Sequence, residues 1–198
     1  MKYVIKSKDR LEDIGKFSLK LLDGYDVPHT DIYIFVSNDK DLTDYKQKYE
    51  NINVIKGEEG IVGIDNFIVD YFDEGEEYVY MNDDISSIST LTINNKLKKL
   101  DKSEFLYLVA KMFSEMNVLK TSYCGLYPCD NSLYMSKQPE QTEDLCFIVD
   151  GFSSCINNKN IKLSKFSVGD NWLSDYEKSI LHFIDKGRIC RLNKWCFK

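Results

Sequence analysis

The chain has 198 residues, of which 43% are hydrophobic and 29% are charged, and this composition excludes disordered and fibrous proteins. No apolar run approaches the roughly 20 residues of a membrane span, so we expect no membrane partner. The N-terminus enters a strand-like run directly and lacks the apolar core of a signal peptide, which predicts a cytoplasmic protein.

The net charge of −6 is unevenly distributed along the chain. From residue 156 onward, nine Lys and Arg residues oppose four Asp and Glu residues, whereas the first 155 residues hold 17 basic and 28 acidic residues. An acidic body argues against general affinity for a polyanion, and a basic C-terminal segment is suited to local phosphate contacts. An uneven distribution of charge is also common on solvent-exposed surfaces that have no binding function.

The six cysteines all lie in the second half of the chain, and none forms a C-x-x-C pair. This spacing disfavours a zinc site and a thioredoxin-like motif. We expect free, buried thiols in a chain of this kind, and we assign no function to them.

Strand and helix patterns alternate through the first 85 residues. Apolar runs predict strands at 3–5, 31–36, 53–55 and 78–82, and near-helical spacing predicts helices at 11–22, 41–49 and 61–72. Such alternation predicts an α/β fold, with a parallel sheet and helices on both of its faces. No G-x-G-x-x-G follows the first strand and no P-loop motif occurs, which disfavours a dinucleotide oxidoreductase and a P-loop enzyme.

The second half of the chain is less regular. After a polar stretch at 86–95, helices are predicted within 103–116 and at 175–184. Strands are predicted at 121–127, 145–149, 165–168 and 188–192, the last with a continuation to 197 left open. Because no repeat, low-complexity linker or clear boundary interrupts the chain, one domain is the economical interpretation.

Two adjacent carboxylates, Asp83 and Asp84, follow the predicted strand at 78–82 without an intervening turn residue. A buried strand that ends in acidic residues carries them to the carboxyl edge of the sheet, where open α/β sheets bind ligands. Hard oxygen ligands at that edge suit Mg²⁺ or Mn²⁺, which commonly hold a diphosphate. A solvated turn after the strand is the alternative interpretation, and the pair alone does not decide between them.

Six short segments, in order along nearly the whole chain, resemble one family of enzymes. They are Arg10 after the first strand and residues 32–36, 60–68, 80–85, 125–131 and 174–177. These segments are similar to the TET/JBP-associated glycosyltransferases, which are found in phages, in large viruses and in kinetoplastid base J synthesis.

The resemblance implies a GT-A-like single domain over residues 1–198 with a mostly parallel nucleotide-binding sheet. Residues 1–85 would form the nucleotide-sugar half and residues 86–198 a smaller acceptor half. The implied activity is transfer of a hexose or pentose from a UDP-sugar to a hydroxymethylated or hydroxylated pyrimidine in DNA. For a phage-encoded chain, the implied location is the cytoplasm of the host.

In this resemblance, Asn82, Asp83 and Asp84 take the place of a D-x-D metal motif. Mn²⁺ or Mg²⁺ there would clamp the diphosphate of the donor. Asp84 would be the direct ligand together with Asn82, and Asp83 would support the site or contact the ribose. Asn82 departs from the usual Asp, and because an amide oxygen supplies no charge, we expect a lower affinity for the metal.

The resemblance places a set of polar residues beside the nucleotide sugar: Lys6, Arg10, Ser37, Asn38, Gly60, Asn66, Asn82 and Asp83. Ser37 and Asn38 would reach the uracil and the ribose. Asp65 and Asn66 would open a helix whose N-terminal amides hold phosphate, although Asp65 stands where the family has a basic residue. Each of these residues is also a natural helix cap or turn residue, so the structural interpretation stays open.

Residues 174–177 resemble a Glu-Asp-Tyr-like motif that supplies the catalytic base in inverting GT-A enzymes. Asp175 would take the proton of the acceptor hydroxyl as that hydroxyl attacks the anomeric carbon. The usual Glu is Ser174 here, and the segment also matches a helix N-terminus. Asp130 is the alternative base, in a segment that also reads as a simple turn. His182, two helical turns after Asp175, is interpreted as a packed helical histidine.

The acceptor is the part of the site that the sequence describes least. Gly125 and Tyr127 would line its site, Trp172 or Trp195 would stack on it, and C-terminal Lys and Arg residues would meet DNA phosphates. A charge of −6 is unusual for a DNA-binding protein, and a further region, subunit or second copy is expected. Two alternatives stay open: a transferase with a protein, glycan or small-molecule acceptor, and a nucleotide-sugar-binding module that lost catalysis through Asn82 and Ser174.

Overall fold

The computed structural model describes residues 1–164 and 173–198. The strands in these ranges are β1 (Lys2–Lys6), β2 (Ile32–Val36), β3 (Asn53–Lys56), β4 (Glu77–Asn82), β5 (Ile88–Leu91), β6 (Leu97–Lys99), β7 (Tyr123–Tyr127), β8 (Gln141–Thr142), β9 (Phe152–Ile156) and β10 (Cys190–Phe197). The α-helices are α1 (Leu11–Ile14), α2 (Lys20–Gly24), α3 (Asp39–Lys48), α4 (Ile61–Tyr71), α5 (Lys102–Leu119), α6 (Ser132–Ser136) and α7 (Ser174–Lys186). A π-helical segment, Gly15–Leu19, joins α1 to α2.

The described strands form one sheet in the order β3-β2-β1-β4-β9-β7-β10-β5-β6, with β8 paired to β10. Its first four strands are parallel, because β1 pairs with β2 and β4 and β2 pairs with β3 in that sense. Along β1, Tyr3 and Ile5 are buried on one face and Val4 on the other, which is why the strand is a continuous apolar run.

The helices cover both faces of the sheet. On the face of Tyr3, the core is completed by Ile14 of α1, Leu22 of α2 and Phe105 of α5. On the opposite face, α4 packs Ile64 and Ile68 against the sheet. The α/β fold with helices on both faces that the sequence predicts is therefore confirmed. In the described ranges, no helix combines the length and the apolar character needed to cross a bilayer.

The second half of the sheet is mixed. Strand β9 runs antiparallel to both of its neighbours, β4 and β7, and β10 runs parallel to β7 with an irregularity after Leu192. At the far edge, β5 and β6 form an antiparallel hairpin that pairs with β10. The antiparallel strand β9 thus continues the sheet from the parallel half into the rest of the chain.

One strand prediction in this half was wrong. Residues 145–149 form no strand, because their apolar run packs under α7, where the Ile148 N–H donates to Ser179 Oγ at 3.2 Å. The strand begins after Gly151, at which a Cβ would lie 2.0 Å from the Phe197 ring. No strand was predicted in the polar stretch at 86–95, which contains β5. The strand predicted at 165–168 lies outside the described residues.

Candidate functional site

A cleft of about 550 Å³ opens where the parallel strands β1, β2 and β4 end. Loops that follow parallel strands converge at this edge of the sheet, which is the usual ligand-binding edge of α/β folds. The lining residues come from both halves of the chain and are Lys6, Ser7, Lys8, Arg10, Ser37, Gly60, Ile61, Ile64, Asn82, Asp83, Asp150 and Asp175. The cleft therefore contains three basic and three acidic side chains.

The turn that carries Asp83 and Asp84 is held by Ser18 of the π-helical segment. The Ser18 hydroxyl donates to the backbone carbonyl of Asn82 at 2.7 Å and accepts from the N–H of Ile85 at 3.0 Å. One buried hydroxyl thus ties both ends of the acidic turn. A π-helical segment inside a helix commonly marks a functional position, and here it sets the position of two carboxylates.

The loop after β1 is held by α3. Tyr45 Oη lies 2.7 Å from Ser7 Oγ and accepts from the Arg10 N–H at 3.3 Å, and the Asp9 N–H donates to an Asp41 carboxylate at 3.1 Å. Asp9 adopts a left-handed backbone with φ of 54°, which turns the chain sharply before α1. This loop directs the side chains of Ser7 and Arg10 toward the acidic turn after β4.

Arg10 bridges the two adjacent carboxylates. Its Nη1 donates to Asp83 Oδ1 at 2.8 Å and to Asp84 Oδ2 at 3.0 Å. These hydrogen bonds, that of Asp83 foremost, raise the pKa of Arg10 above its usual value. The Asp83 side chain is 8% exposed and lines the cleft, whereas that of Asp84 is 47% exposed and is not part of the lining.

The geometry of this turn fits a divalent cation poorly. Both oxygens of Asp83 are occupied, because Oδ2 accepts from Ser7 Oγ at 2.7 Å while Oδ1 accepts from Arg10. Asp84 keeps a single oxygen without a partner among the described residues, and Asn82 adds a neutral amide. Mg²⁺ and Mn²⁺ are hard cations that prefer several oxygen ligands, charged ones among them. In the described ranges, no cluster of three or more His, Cys, Asp or Glu side chains suits a metal ion.

Lys6 and the start of α4 form the opposite wall of the cleft. Lys6 Nζ donates to both oxygens of Asp65, at 2.7 and 2.9 Å, and lies 4.9 Å from the centre of the Tyr80 ring. Lys8 forms no ion pair with the described residues. Gly60, with φ of 80°, precedes α4, and no side-chain cap from the described residues bonds to the first amides of that helix. Those amides and Lys8 are available to an anion.

Asp150 and Asp175 form the acidic wall of the cleft. Asp150 is buried and accepts from Tyr123 Oη at 2.5 Å and from Lys178 Nζ at 2.9 Å. Burial raises the pKa of Asp150. The charges of Lys178 and Lys6 and these hydrogen bonds lower the pKa by more than burial raises it, so the net shift is downward. Burial, followed by the charge of Asp150, raises the pKa of Asp175 to about 6.

Most of the residues predicted beside the nucleotide sugar do line this cleft. Two do not. Asn38 caps α3, since its Oδ1 accepts from the Asp41 N–H at 2.7 Å. Asn66 pairs with the backbone of Leu163 through both ends of its amide, at 2.8 and 2.9 Å. Because α4 begins at Ile61, the expectation that Asp65 and Asn66 open this helix was wrong.

The residues predicted at the acceptor lie apart from the cleft lining. Gly125 is buried within β7, and a Cβ there would lie 2.2 Å from an Ile148 methyl carbon. Tyr127 packs under Arg191, whose guanidinium carbon lies 5.4 Å from the ring centre. Asp130, the alternative base, forms an ion pair with Lys198 at 3.5 Å. Trp172 lies outside the described residues.

The sequence interpretation missed three residues of the cleft, Ile61, Ile64 and Asp150, and it included Ser7 and Lys8 only as part of a loop expected to contact the nucleotide. Neither Asp150 nor its buried partner Lys178 was singled out from the sequence. The available signal for Lys178 was its spacing, because residues three apart share a helix face and Lys178 follows Asp175 by three positions. Nothing in the linear pattern brings Asp150 to that face.

Comparisons with known proteins bear on this architecture. Neither a protein-family model nor a curated protein sequence matches the chain. Solved structures do match it. TarS from S. aureus is 13% identical with a TM-score of 0.55, over 100% of this chain and 59% of that chain. Mannosyltransferase PcManGT from Pyrobaculum calidifontis, in complex with GDP-Man and Mn²⁺, is 10% identical with a TM-score of 0.57, over 96% of this chain and 55% of that chain.

The galactosyltransferase LgtC, in complex with donor and acceptor sugar analogues, is 11% identical with a TM-score of 0.51, over 96% of this chain and 73% of that chain. The chain has the GT-A glycosyltransferase fold. It spans between about half and three quarters of the length of these structures. At 10–13% identity the likeness is one of fold.

Proposed function

We propose that the protein is a glycosyltransferase that moves a sugar from a nucleoside diphosphate sugar to an acceptor hydroxyl in this cleft. One observation carries the proposal: an anion-binding wall, formed by Lys8, Arg10 and the start of α4, faces the buried Asp150 and the half-buried Asp175 at the carboxyl edge of a GT-A sheet. An anion-binding wall suits a diphosphate, and an acid with a raised pKa suits proton transfer. The proposed division is a donor half at 1–85 and an acceptor half at 86–198, which also contributes Asp150 and Asp175.

The donor diphosphate is proposed to lie between Arg10, Lys8 and the uncapped start of α4. Departure of a nucleoside diphosphate concentrates negative charge on the leaving oxygens, and fixed cations and amides lower the cost of that charge. Ser37 and Asn82 are the proposed contacts to the nucleoside, with uridine as the base that the family resemblance implies. The predicted Mn²⁺ or Mg²⁺ ion stays a prediction, and no step of the mechanism is assigned to it.

Asp175 is the proposed general base. In the reaction, Asp175 takes the proton of the acceptor hydroxyl, the hydroxyl oxygen forms a bond to the anomeric carbon, and the bond from that carbon to the diphosphate breaks. The electron pair of the broken bond leaves with the nucleoside diphosphate. A carboxylate with a pKa of about 6 is ionised at neutral pH and is more basic than an ordinary aspartate.

For the acceptor, we propose a hydroxymethylated or hydroxylated pyrimidine in phage DNA, as the TET/JBP-associated resemblance implies. The basic C-terminal segment gives partial support. Several of its cations are engaged within the protein, since Lys162 pairs with Asp70 at 2.5 Å and Lys194 donates to the carbonyl of Gln138 at 2.8 Å. With the charge of −6, this engagement favours the second candidate, a transferase with a protein, glycan or small-molecule acceptor.

The test is incubation of the protein with UDP-sugars and GDP-sugars, with release of the nucleoside diphosphate as the first readout. Duplex and single-stranded DNA containing 5-hydroxymethyl pyrimidines, and the same DNA unmodified, are then offered as acceptors and analysed by mass spectrometry. A hexose or pentose mass added only to the modified DNA supports the DNA-base assignment. Donor turnover without DNA modification supports the second candidate, and binding of donor without turnover supports a module that has lost catalysis.

A further inference from the structure

The guanidinium of Arg10 lies where the resemblance expects a metal ion. One nitrogen, Nη1, contacts both members of the acidic pair, at 2.8 Å from Asp83 and 3.0 Å from Asp84. A divalent cation that used the same two oxygens would have to displace this group or share the space with another positive charge. The two occupants therefore compete for one position.

The surrounding contacts favour the arginine as the resident group. The second oxygen of Asp83 accepts from Ser7, and the Ser7 hydroxyl is itself bonded to Tyr45 at 2.7 Å. The backbone of Arg10 is bonded to the same tyrosine. Moving Arg10 aside would leave Asp83, which is 6% exposed, as a buried carboxylate without its cation, and such a charge is costly.

The rest of the guanidinium is directed to the cleft, because Arg10 is one of its lining residues and its side chain is 46% exposed. Arginine has five N–H groups, and only those on Nη1 donate to the described residues. The remaining N–H groups, on Nε and Nη2, form the forked arrangement that matches two phosphate oxygens. Arg10 can therefore face the acidic turn and a diphosphate at the same time.

We propose that Arg10, held by Asp83 and Asp84, supplies the positive charge at the donor diphosphate, so that nucleoside diphosphate binding does not require a divalent metal. This inference rests on the proposed function, since it concerns the donor of that reaction. It assigns Asp83 and Asp84 the role of positioning an arginine. The neutral Asn82 is consistent with this assignment, because a turn that holds one monovalent cation needs no third carboxylate.

The experiment is calorimetric titration of UDP, and separately of GDP, into the full chain with EDTA and then with excess MnCl₂. We expect the same affinity in both buffers. Arg10→Ala and Arg10→Gln are expected to bind about tenfold or more weakly in either buffer, because a charge-assisted contact is lost. Arg188→Ala, which removes an exposed arginine that follows the C-terminal end of α7 and does not line the cleft, is the matched control and should bind like the wild type.

Asp84→Asn separates the two roles of the acidic pair. If Asp84 positions Arg10, this variant weakens nucleotide binding in EDTA and in Mn²⁺ alike. If it is a metal ligand, only the Mn²⁺-dependent part is lost. Titration of Mn²⁺ alone, followed by electron paramagnetic resonance, gives a readout without nucleotide, and we expect no stoichiometric binding to the wild type.

The outcomes are distinguishable. Nucleotide binding that requires Mn²⁺, or Arg10 variants that bind as tightly as the wild type, would overturn the arginine assignment and leave the proposed function standing. An absence of binding by the wild type to both nucleotides in both buffers would overturn the proposed function as well. Thermal melts of each variant show that the fold is retained, and Arg10→Gln serves where Arg10→Ala does not fold.

Discussion

The backbone N–H of Asp150 donates a 3.3 Å hydrogen bond to Oδ2 of Asp175, which joins acids from two separate segments in one wall of the cleft. Lys178 and the Tyr123 hydroxyl hold Asp150 as a carboxylate. Burial, followed by the negative charge of Asp150, raises the pKa of Asp175 to about 6. Two neighbouring acids with diverging pKa values are typical of sites in which one of them exchanges a proton.

Asp175→Asn is expected to reduce sugar transfer by about 100-fold to 10,000-fold, because an amide cannot accept the acceptor's proton. In the wild type, kcat/KM should fall as the pH drops through about 6, since the base is then protonated. The measurement is donor turnover with acceptor across pH 5–8. Asp130→Asn is the matched control. A full rate in Asp175→Asn together with a lost rate in Asp130→Asn would reverse the two assignments.

The same substitution should stabilise the folded protein at neutral pH. A carboxyl whose pKa is raised in the folded state contributes stability below its unfolded pKa, near 4, and this stability is lost as the pH rises through about 6. Replacing Asp175 by Asn removes that penalty at pH 7, and we expect a gain of about 1–3 kcal/mol in the free energy of unfolding. Urea titrations at pH 4 and pH 7 check it: the gain should be present only at the higher pH.

Lys178→Met is expected to destabilise the fold by about 3–5 kcal/mol, because it leaves Asp150 buried without its cation. The Lys178 ammonium lies 2.9 Å from Asp150 Oδ2 and 4.5 Å from the centre of the Tyr80 ring. Asp150→Asn in the same chain removes the unpaired charge. The double variant should therefore recover much of the loss, and a double-mutant cycle from urea titrations measures the coupling. Additive losses would show that the two groups do not interact.

Much of the parallel half of the fold was predictable from the sequence. The runs around Val4, Ile34 and Val79 are continuously apolar, since strands buried on both faces require this, and the order of strand and helix then indicates a parallel sheet. Strand β9 was not predicted, because Ser153 and Ser154 occupy its centre and serine carries little strand signal. Its pairing between β4 and β7 is set by tertiary packing.

The sequence indicated most directly those site residues that stand at or just after the end of a predicted strand. Lys6, Ser37 and Asp83 each stand at or just after the end of a parallel strand, and all three line the cleft. The acidic wall depends on Asp150, which reaches the cleft from an irregular segment. No sequence periodicity or spacing relates Asp150 to Asp175, because the residues between them include the antiparallel strand β9 and residues 157–173, which connect β9 to α7.

Ser18→Ala tests the link between the π-helical segment and the acidic turn. The substitution removes the donor to the Asn82 carbonyl and the acceptor for the Ile85 N–H, and leaves buried backbone groups without partners. We expect a loss of about 1–3 kcal/mol in the free energy of unfolding, and weaker UDP binding because the position of Asp83 and Asp84 is no longer fixed. Ser136→Ala, at the half-buried end of α6, removes only a local hydrogen bond to the Leu133 carbonyl and should change both quantities far less.

His182→Asn tests how the burial of this histidine affects the pH dependence of the free energy of unfolding. His182 is buried, its Nδ1 lies 2.8 Å from Ser122 Oγ and its ring stacks on Tyr123 at 4.6 Å. Burial, followed by the charge of Lys178 and opposed by those of Asp150 and Asp185, lowers its pKa to about 3. Between that value and 6.5, the unfolded chain binds a proton that the folded chain does not, so His182 lowers stability as the pH falls.

The asparagine keeps a hydrogen-bonding group near Nδ1 without titrating, so the free energy of unfolding should fall less steeply with decreasing pH, by about 1 kcal/mol per pH unit between pH 6 and 4. Parallel slopes for the two proteins in urea titrations over that range would contradict this account of His182.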